Sequence, residues 1–126
     1  MKYSEKICNI GKRGSFTVEA ALIMPVILGV IVTFIYIAMF CHDRCAIEYA
    51  CRVSSAKAAY DTDPELTAAM ASERNLDRFL IIDWNTGIET DCDDETVTTR
   101  IEATCPVINR TFIHSASAYR HFCPKY

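Results

Sequence analysis

The longest apolar stretch of the chain runs from Ala20 to Cys41 and contains no charged side chain. As an α-helix, these roughly 22 residues rise about 33 Å, which matches the hydrocarbon core of a bilayer, about 30 Å thick. We therefore predict one membrane-spanning helix. Residues 42–60 contain neither glycine nor proline and are rich in alanine, so we expect the helix to continue outward as a stem.

Small side chains recur at every fourth position of this stem. They are Ala46, Ala50, Ser54 and Ala58. Such a stripe favours close packing against another helix, in lipid or in an assembly. The alternative is that alanine is present only because it is a good helix former.

A second helix is predicted at about residues 64–81. Asp63 suits the N-cap and Pro64 the first helical position. The predicted apolar face, which should cover a sheet or the stem, consists of Leu66, Ala69, Met70, Leu76, Phe79 and Leu80.

From Asp83 onward the hydrophobic period changes to two, which is typical of strands with one wet face. The inward positions are Ile88, Thr90 and Cys92, followed by Val97, Thr99, Ile101, Ala103 and Cys105. We expect Asp93-Asp94 to form the turn, and a further strand at either 110–114 or 117–122. The predicted fold class is α+β: one transmembrane helix extended into a stem, then a small head with one further helix and an antiparallel sheet of about three strands.

The residues in front of the apolar stretch form a specific pattern. Lys12 and Arg13 lead into Gly14, and Glu19 is the fifth residue after that glycine. This pattern resembles the class III signal of type IV prepilins. The continuation Val-Glu-Ala-Ala-Leu-Ile-Met-Pro, ending at Pro25, more narrowly resembles the TadE-like family of tight-adherence pilus proteins. The resemblance covers about the first third of the chain, and it departs from the major pilins, which usually have tyrosine where this chain has an alanine after the glutamate.

The resemblance implies cleavage between Gly14 and Ser15 by a prepilin peptidase. It also implies that Glu19 pairs with the new α-amine of Ser15 on a neighbouring subunit. The implied partners are other pilin or pseudopilin subunits and the pilus assembly platform. Physical chemistry alone leaves a second role for Glu19, in the headgroup layer beside the positive end of its own helix. Pro25 is expected to kink or loosen the span.

The expected organisation is a leader (1–14), a transmembrane helix (15–41), a stem (42–60) and a head (61–126). The leader carries four basic residues against one acidic residue, so the positive-inside tendency places it in the cytoplasm and the head outside the cytoplasmic membrane. We expect a minor pseudopilin or pilus-assembly protein. The alternative is an uncleaved single-pass protein whose head binds an extracellular ligand or protein.

Charge and motifs exclude several other classes. Removal of the leader leaves 9 basic against 15 acidic residues, a formal charge of −6, which argues against both nucleic acid and anionic lipid as partners of the outer part. No catalytic motif, small-molecule substrate site or cofactor site is recognisable, so we expect a non-enzyme. The acidic turn lacks the glycine and the distant glutamate of a helix-loop-helix calcium site. His114, His121 and Cys123 lack the paired spacing of a zinc site.

Six of the seven cysteines follow the leader, which allows 15 disulfide connectivities. In a plain hairpin Cys92 and Cys105 lie roughly 33 Å apart along the strands, too far for a disulfide. A third antiparallel strand would bring Cys123 back, so Cys92 with Cys123 is the favoured pair. Cys41, Cys45 and Cys51 share one broad side of the stem and are expected to remain thiols. A secreted redox or metal-binding module that uses these cysteines is a third, weaker class.

Overall fold

The computed structural model describes residues 3–120, with side chains from Thr17 onward. In chain order its elements are helix α1 (Tyr3–Ala58), helix α2 (Pro64–Phe79) and strands β1 (Asn85–Cys92), β2 (Thr96–Cys105) and β3 (Arg110–Tyr119). The boundary between two compact units falls between Ala38 and Met39. The predicted α+β class, with a long apolar N-terminal helix, one further helix and a three-stranded antiparallel sheet, is confirmed.

The sheet is an antiparallel meander of order β1-β2-β3. Ile101 on the central strand lies opposite Ile88 on β1 and His114 on β3. The predicted inward positions of β2 are all buried, and those of β1 are half-buried, because side chains alternate between the faces of a strand. The third strand contains the first segment that the sequence offered, residues 110–114, and continues to Tyr119, so it also includes residues 117–119 of the second; Phe122 at the end of that segment lies outside the described residues.

The β1–β2 turn lies one residue later than predicted. Cys92 lies opposite Val97, and the Asp93 N–H donates to the Thr96 carbonyl at 2.8 Å. The two turn residues are therefore Asp94 and Glu95. The residue pattern alone did not separate the two registers, because three acidic residues in a row suit either turn.

One face of the sheet is covered by the two helices. One buried cluster includes Ile47 and Cys51 from α1, Leu76 from α2, Ile101 from β2 and also Trp84. A smaller cluster, at the other end of β2, contains Ala58, Ala68 and Val97. The opposite face of the sheet is polar, and on it Arg100 and Glu102 form an ion pair at 3.3 Å. Residues 39–58 of α1 thus belong to the folded head.

The buried face of α2 differs from the predicted one. Its buried residues are Ala68, Ser72 and Leu76, whereas Leu66 and Met70 are 60% and 57% exposed. The prediction ranked residues by apolarity, but α2 packs against the core through side chains four positions apart, two of which are small. The Ser72 hydroxyl is accommodated because it donates to the Ala68 carbonyl at 2.7 Å.

The start of α2 is only partly as predicted. Asp63 occupies the N-cap position and Pro64 follows it, but the Asp63 side chain makes no capping hydrogen bond. The neighbouring Asp61 carboxylate instead accepts hydrogen bonds from the Thr62 N–H at 2.7 Å and the Thr67 hydroxyl at 2.7 Å. The helix start is therefore fixed by a side chain two residues before the predicted one.

Candidate functional site: an uncovered apolar helix and a buried carboxylate

The N-terminal unit presents an apolar helix surface with no protein cover. Within Thr17–Ala58, an 18-residue window has a mean hydropathy of 2.6, and none of it is buried. Large side chains such as Leu22 (69%), Val26 (65%) and Phe34 (70%) are exposed. Monomeric soluble proteins rarely expose an apolar surface of this extent. The helix is long and apolar enough to cross a membrane.

Glu19 lies at the N-terminal edge of this apolar surface. Its side chain is exposed and borders a shallow depression that is also lined by Ala20, Ile23 and Met24. Among the side chains of residues 17–120, none forms an ion pair with Glu19. A carboxylate in an apolar setting is costly unless another group neutralises it. The arrangement leaves Glu19 accessible to a group from another molecule.

The other predicted site residues of this region lie along α1. Pro25 is inside the helix and exposed, so the helix continues through it. Gly14 and Ser15 fall within the bounds of α1, but their side chains are outside the described part of the structure. The predicted cut between them stays a prediction.

The small-residue stripe of α1 is used within the chain. Ala50, Ser54 and Ala58 are fully buried, and Ala46 is half-buried. Ala50 belongs to the main core cluster, and Ala58 contacts the cluster formed with Ala68. Close packing was expected against a helix in lipid or in an assembly. In the structure, the stripe instead packs against α2 and the sheet of the same chain.

Asp43, which the sequence analysis did not single out, is the most highly connected buried polar group of the head. It is fully buried. Its carboxylate accepts hydrogen bonds from the Ile81 N–H at 3.0 Å, the Ile82 N–H at 2.8 Å and the Trp84 indole N–H at 3.0 Å. His42 Nδ1 lies 3.2 Å from the same carboxylate. Asp43 therefore fixes α1 to the segment that links α2 to the sheet.

A sequence signal for this contact existed. Four of the five residues from Leu80 to Trp84 are bulky and apolar, so most of this segment is expected to be buried. Buried backbone N–H groups without a helix or sheet partner need another acceptor. A carboxylate on the neighbouring helix supplies one.

Three groups of the head have shifted pKa values. Burial acts to raise the pKa of Asp43, but the hydrogen bonds from two backbone N–H groups and the indole outweigh it and hold the pKa below its ordinary 3.8. Burial raises the pKa of the Cys51 thiol above 9.0. Burial and then the nearby Arg44 charge lower the pKa of His114 below 6.5. These shifts favour an inert, neutral thiol and a neutral imidazole.

Cys51 is a structural group. Its thiol donates to the Thr99 carbonyl at 2.9 Å and approaches the His114 carbonyl at 3.6 Å. Within the described residues, Thr99 Oγ1 and His114 Nε2 are buried without a hydrogen-bond partner. The buried Cys51 thiol is a weak donor that faces carbonyls of two strands. This environment is typical of a cysteine that packs a helix against a sheet, not of a reactive cysteine.

Within the described residues, no disulfide joins any two of the cysteines, which are Cys41, Cys45, Cys51, Cys92 and Cys105. The favoured pair of Cys92 with Cys123 lies partly outside the described residues, since Cys123 is not described. The observed register places Cys105 eight residues beyond Val97, the partner of Cys92. That spacing is about 27 Å along the strand, so the exclusion of a Cys92–Cys105 disulfide holds.

Within residues 17–120, no group of three or more His, Cys, Asp or Glu side chains is arranged to hold a metal ion. The acidic β1–β2 turn is exposed, and the Asp94 N–H donates to the Asp93 carboxylate at 3.2 Å. This local hydrogen bond is typical of a solvated turn.

Comparisons with known proteins do not assign the chain to a family. No family model matches it, and neither a curated protein nor a solved structure matches it significantly.

Proposed function

We propose that this chain is a TadE-like, prepilin-type membrane protein: a minor pseudopilin or pilus-assembly subunit that contributes to the biogenesis of a pilus or secretion filament. One observation carries the proposal. Gly14, Glu19 and Pro25 stand at fixed offsets at the start of an apolar helix that no part of the described chain covers. A generic membrane anchor has no need of a carboxylate at that depth.

In the proposed mechanism, α1 holds the subunit in the cytoplasmic membrane with its basic leader inside. A prepilin peptidase cuts after Gly14 and creates an α-amine on Ser15. The Glu19 carboxylate then forms an ion pair with the Ser15 α-amine of a neighbouring subunit. Opposite charges in an apolar environment attract strongly, so the pairing would align adjacent helices as they leave the membrane. The head faces away from the cytoplasm and contacts other pilin subunits or the assembly platform.

The first test is intact-mass measurement and N-terminal sequencing of the protein from its native membrane. We expect an N-terminus at Ser15. Gly14→Ala should block this processing because the peptidase is expected to require the glycine. Gly11→Ala is the matched control, since it changes a glycine in the same leader without touching the cut, and it should be processed normally.

A chain that begins at Met1 in cells containing the peptidase would contradict the proposal. It would favour the alternative, an uncleaved anchored protein whose head binds an extracellular ligand or protein. Normal processing of Gly14→Ala would also contradict the proposed cleavage site.

A further inference from the structure

The two hairpin tips of the sheet differ sharply in polarity. The β1–β2 tip contains Asp94 and Glu95, whereas the β2–β3 tip, residues 106–109, has Val107 and Ile108 at its centre. Val107 is 65% exposed and Ile108 is 50% exposed. Exposed turns are normally occupied by Gly, Pro, Asn, Asp or Ser. Two consecutive branched apolar residues are therefore unusual at an exposed tip, and an apolar environment around the tip would explain them.

The turn geometry makes this exposure a fixed feature of the fold. Cys105 and Arg110 are paired in the ladder, so residues 106–109 close a four-residue loop. Asn109 has a φ of 47°, in the left-handed region that asparagine tolerates. The loop thus projects its two apolar side chains away from the core.

The position of each tip relative to α1 follows from the packing of the head. At one end of β2, Val97 belongs to the same cluster as Ala58, the last residue of α1. At the other end, the ring of Phe112, which is paired with Ala103, lies 5.8 Å from the ring of Phe40. β2 therefore runs antiparallel to residues 39–58 of α1, and the apolar tip lies at the end where this helical segment begins.

That end of the head is the one from which the apolar stretch continues. Phe40 is the last residue but one of the uncharged run that ends at Cys41. The tip lies still further along, because the sheet continues from Ala103 to Cys105, about 7 Å at 3.4 Å per residue, before the loop starts. The tip therefore lies at the end of the head that carries Phe40 and Cys41, the last two residues of the uncharged run.

The end of the sheet next to the tip is held by aromatic packing. The rings of Phe40 and Trp84 are stacked with centroids 5.5 Å apart, and the Arg44 guanidinium lies 4.6 Å from the centroid of the Phe112 ring. Trp84 belongs to the buried core of the head, and Phe40 and Phe112 pack against it, so these rings fix the end of the sheet that carries the tip.

We infer that the β2–β3 tip is a membrane-contact site: Val107 and Ile108 insert into the outer leaflet of the bilayer that α1 spans. The lipid surface is the occupant that the geometry favours, since the apolar tip lies at the membrane end of the head and the acidic tip at the opposite end. This site would hold the head against the bilayer at a second point besides α1. The inference requires α1 to be a membrane span, but it requires neither cleavage nor assembly.

The test uses tryptophan emission from the full chain in phosphatidylcholine vesicles, with and without lipid brominated on the acyl chain near the headgroup. Trp84 is the single native tryptophan, so the signal of an added one is obtained by subtracting the native spectrum. Ile108→Trp places the probe at the apolar tip, and Val107→Trp is a second variant there. Glu95→Trp is the matched control at the acidic tip.

We expect brominated lipid to lower the emission of the added tryptophan at position 108 or 107 by about two-fold or more and to leave that at position 95 unchanged. Equal quenching at both tips would overturn the inference. So would a blue-shifted but unquenched emission at position 108, which would mean that a second protein copy covers the tip. Because these readouts do not depend on the N-terminus, they are independent of the test of cleavage at Gly14.

Discussion

At the scale of single residues, Asp43 makes the largest difference to the head. A fully buried carboxylate is unfavourable unless its oxygens are satisfied, and here three N–H donors and a nearby imidazole surround it. Hydrogen bonds to a charged acceptor are roughly twice as strong as neutral ones. The segment that they hold, Leu80 to Trp84, has no helix or strand of its own. Its backbone conformation therefore depends on this side chain together with the packing of Ile82 and Trp84 in the core.

Asp43→Asn should lower the free energy of unfolding of the head by about 2 to 3 kcal/mol, because it removes the charge and turns an acceptor into a donor that faces other donors. The measurement is urea unfolding of the full chain in detergent micelles, followed by Trp84 fluorescence. Asp83→Asn is the matched control. Asp83 is exposed, so that change should stay within about 0.5 kcal/mol.

The difference in free energy of unfolding between the native chain and Asp43→Asn should also depend on pH. Because the folded-state pKa of Asp43 is below 3.8, its stabilisation is complete above that value and is lost as the pH falls through the folded-state pKa. The native chain should therefore lose its advantage over Asp43→Asn in strong acid. A constant difference between the two chains down to pH 2, or no difference at pH 7, would contradict this role.

At the scale of elements, the face of α1 that packs in the head is built from small side chains. Ala50, Ser54 and Ala58 are buried together with Ile47 and Cys51. Small side chains let the helix approach the sheet and α2, but they leave no room for a larger residue. The predicted strand alternation was confirmed at Val97 to Cys105 because a sheet with one wet face imposes a simple period of two.

The predicted face of α2 was confirmed at Leu76 but wrong in its first half, for a related reason. Its exposed Leu66 and Met70 are more apolar than its buried Ala68 and Ser72. Local hydrophobicity identifies a helix, but the space available between elements decides which side faces the core. The Asp43 contact could be predicted only in part: the segment from Leu80 to Trp84 signals the need for an acceptor, but no local pattern identifies the acceptor, which lies about 40 positions away.

Ala50→Leu should destabilise the head by about 1 to 3 kcal/mol, because the added methyl and methylene groups have no free space in the core. Ala56→Leu is the matched control, since Ala56 is exposed on the same helix and both changes preserve helix propensity. Thermal unfolding of both variants in micelles measures the effect. Equal melting temperatures for the two variants would show that the stripe does not pack in the head.

At the scale of the whole molecule, the chain combines an apolar helix that it leaves uncovered with a head that has its own buried core. The sequence predicted both parts, because about 22 uncharged residues and strands with a period of two are strong signals. No side chain of residues 17–120 forms an ion pair with Glu19. The predicted assembly role therefore depends on a contact with another molecule.

Glu19→Ala should leave membrane insertion intact, since it makes the helix more apolar, while it lowers the yield of filaments or of secreted substrate in the native cells. Membrane fractionation measures insertion, and microscopy of sheared filaments measures assembly. Glu19→Asp, which keeps the charge, should retain more assembly than Glu19→Ala. Unchanged assembly in Glu19→Ala would contradict the pairing mechanism.

The order of elements also bears on how the head forms. Cys51 and its acceptor on β2 are 48 residues apart, whereas β1, β2 and β3 join through short turns. Local hairpins close quickly, and long-range docking pays a larger loop entropy. In a chain made from its N-terminus, residues 39–58 of α1 exist before any strand that covers them. Alanine and serine on the face that the strands later bury expose little apolar surface. We therefore expect this helical segment to resist aggregation until all three strands have been synthesised.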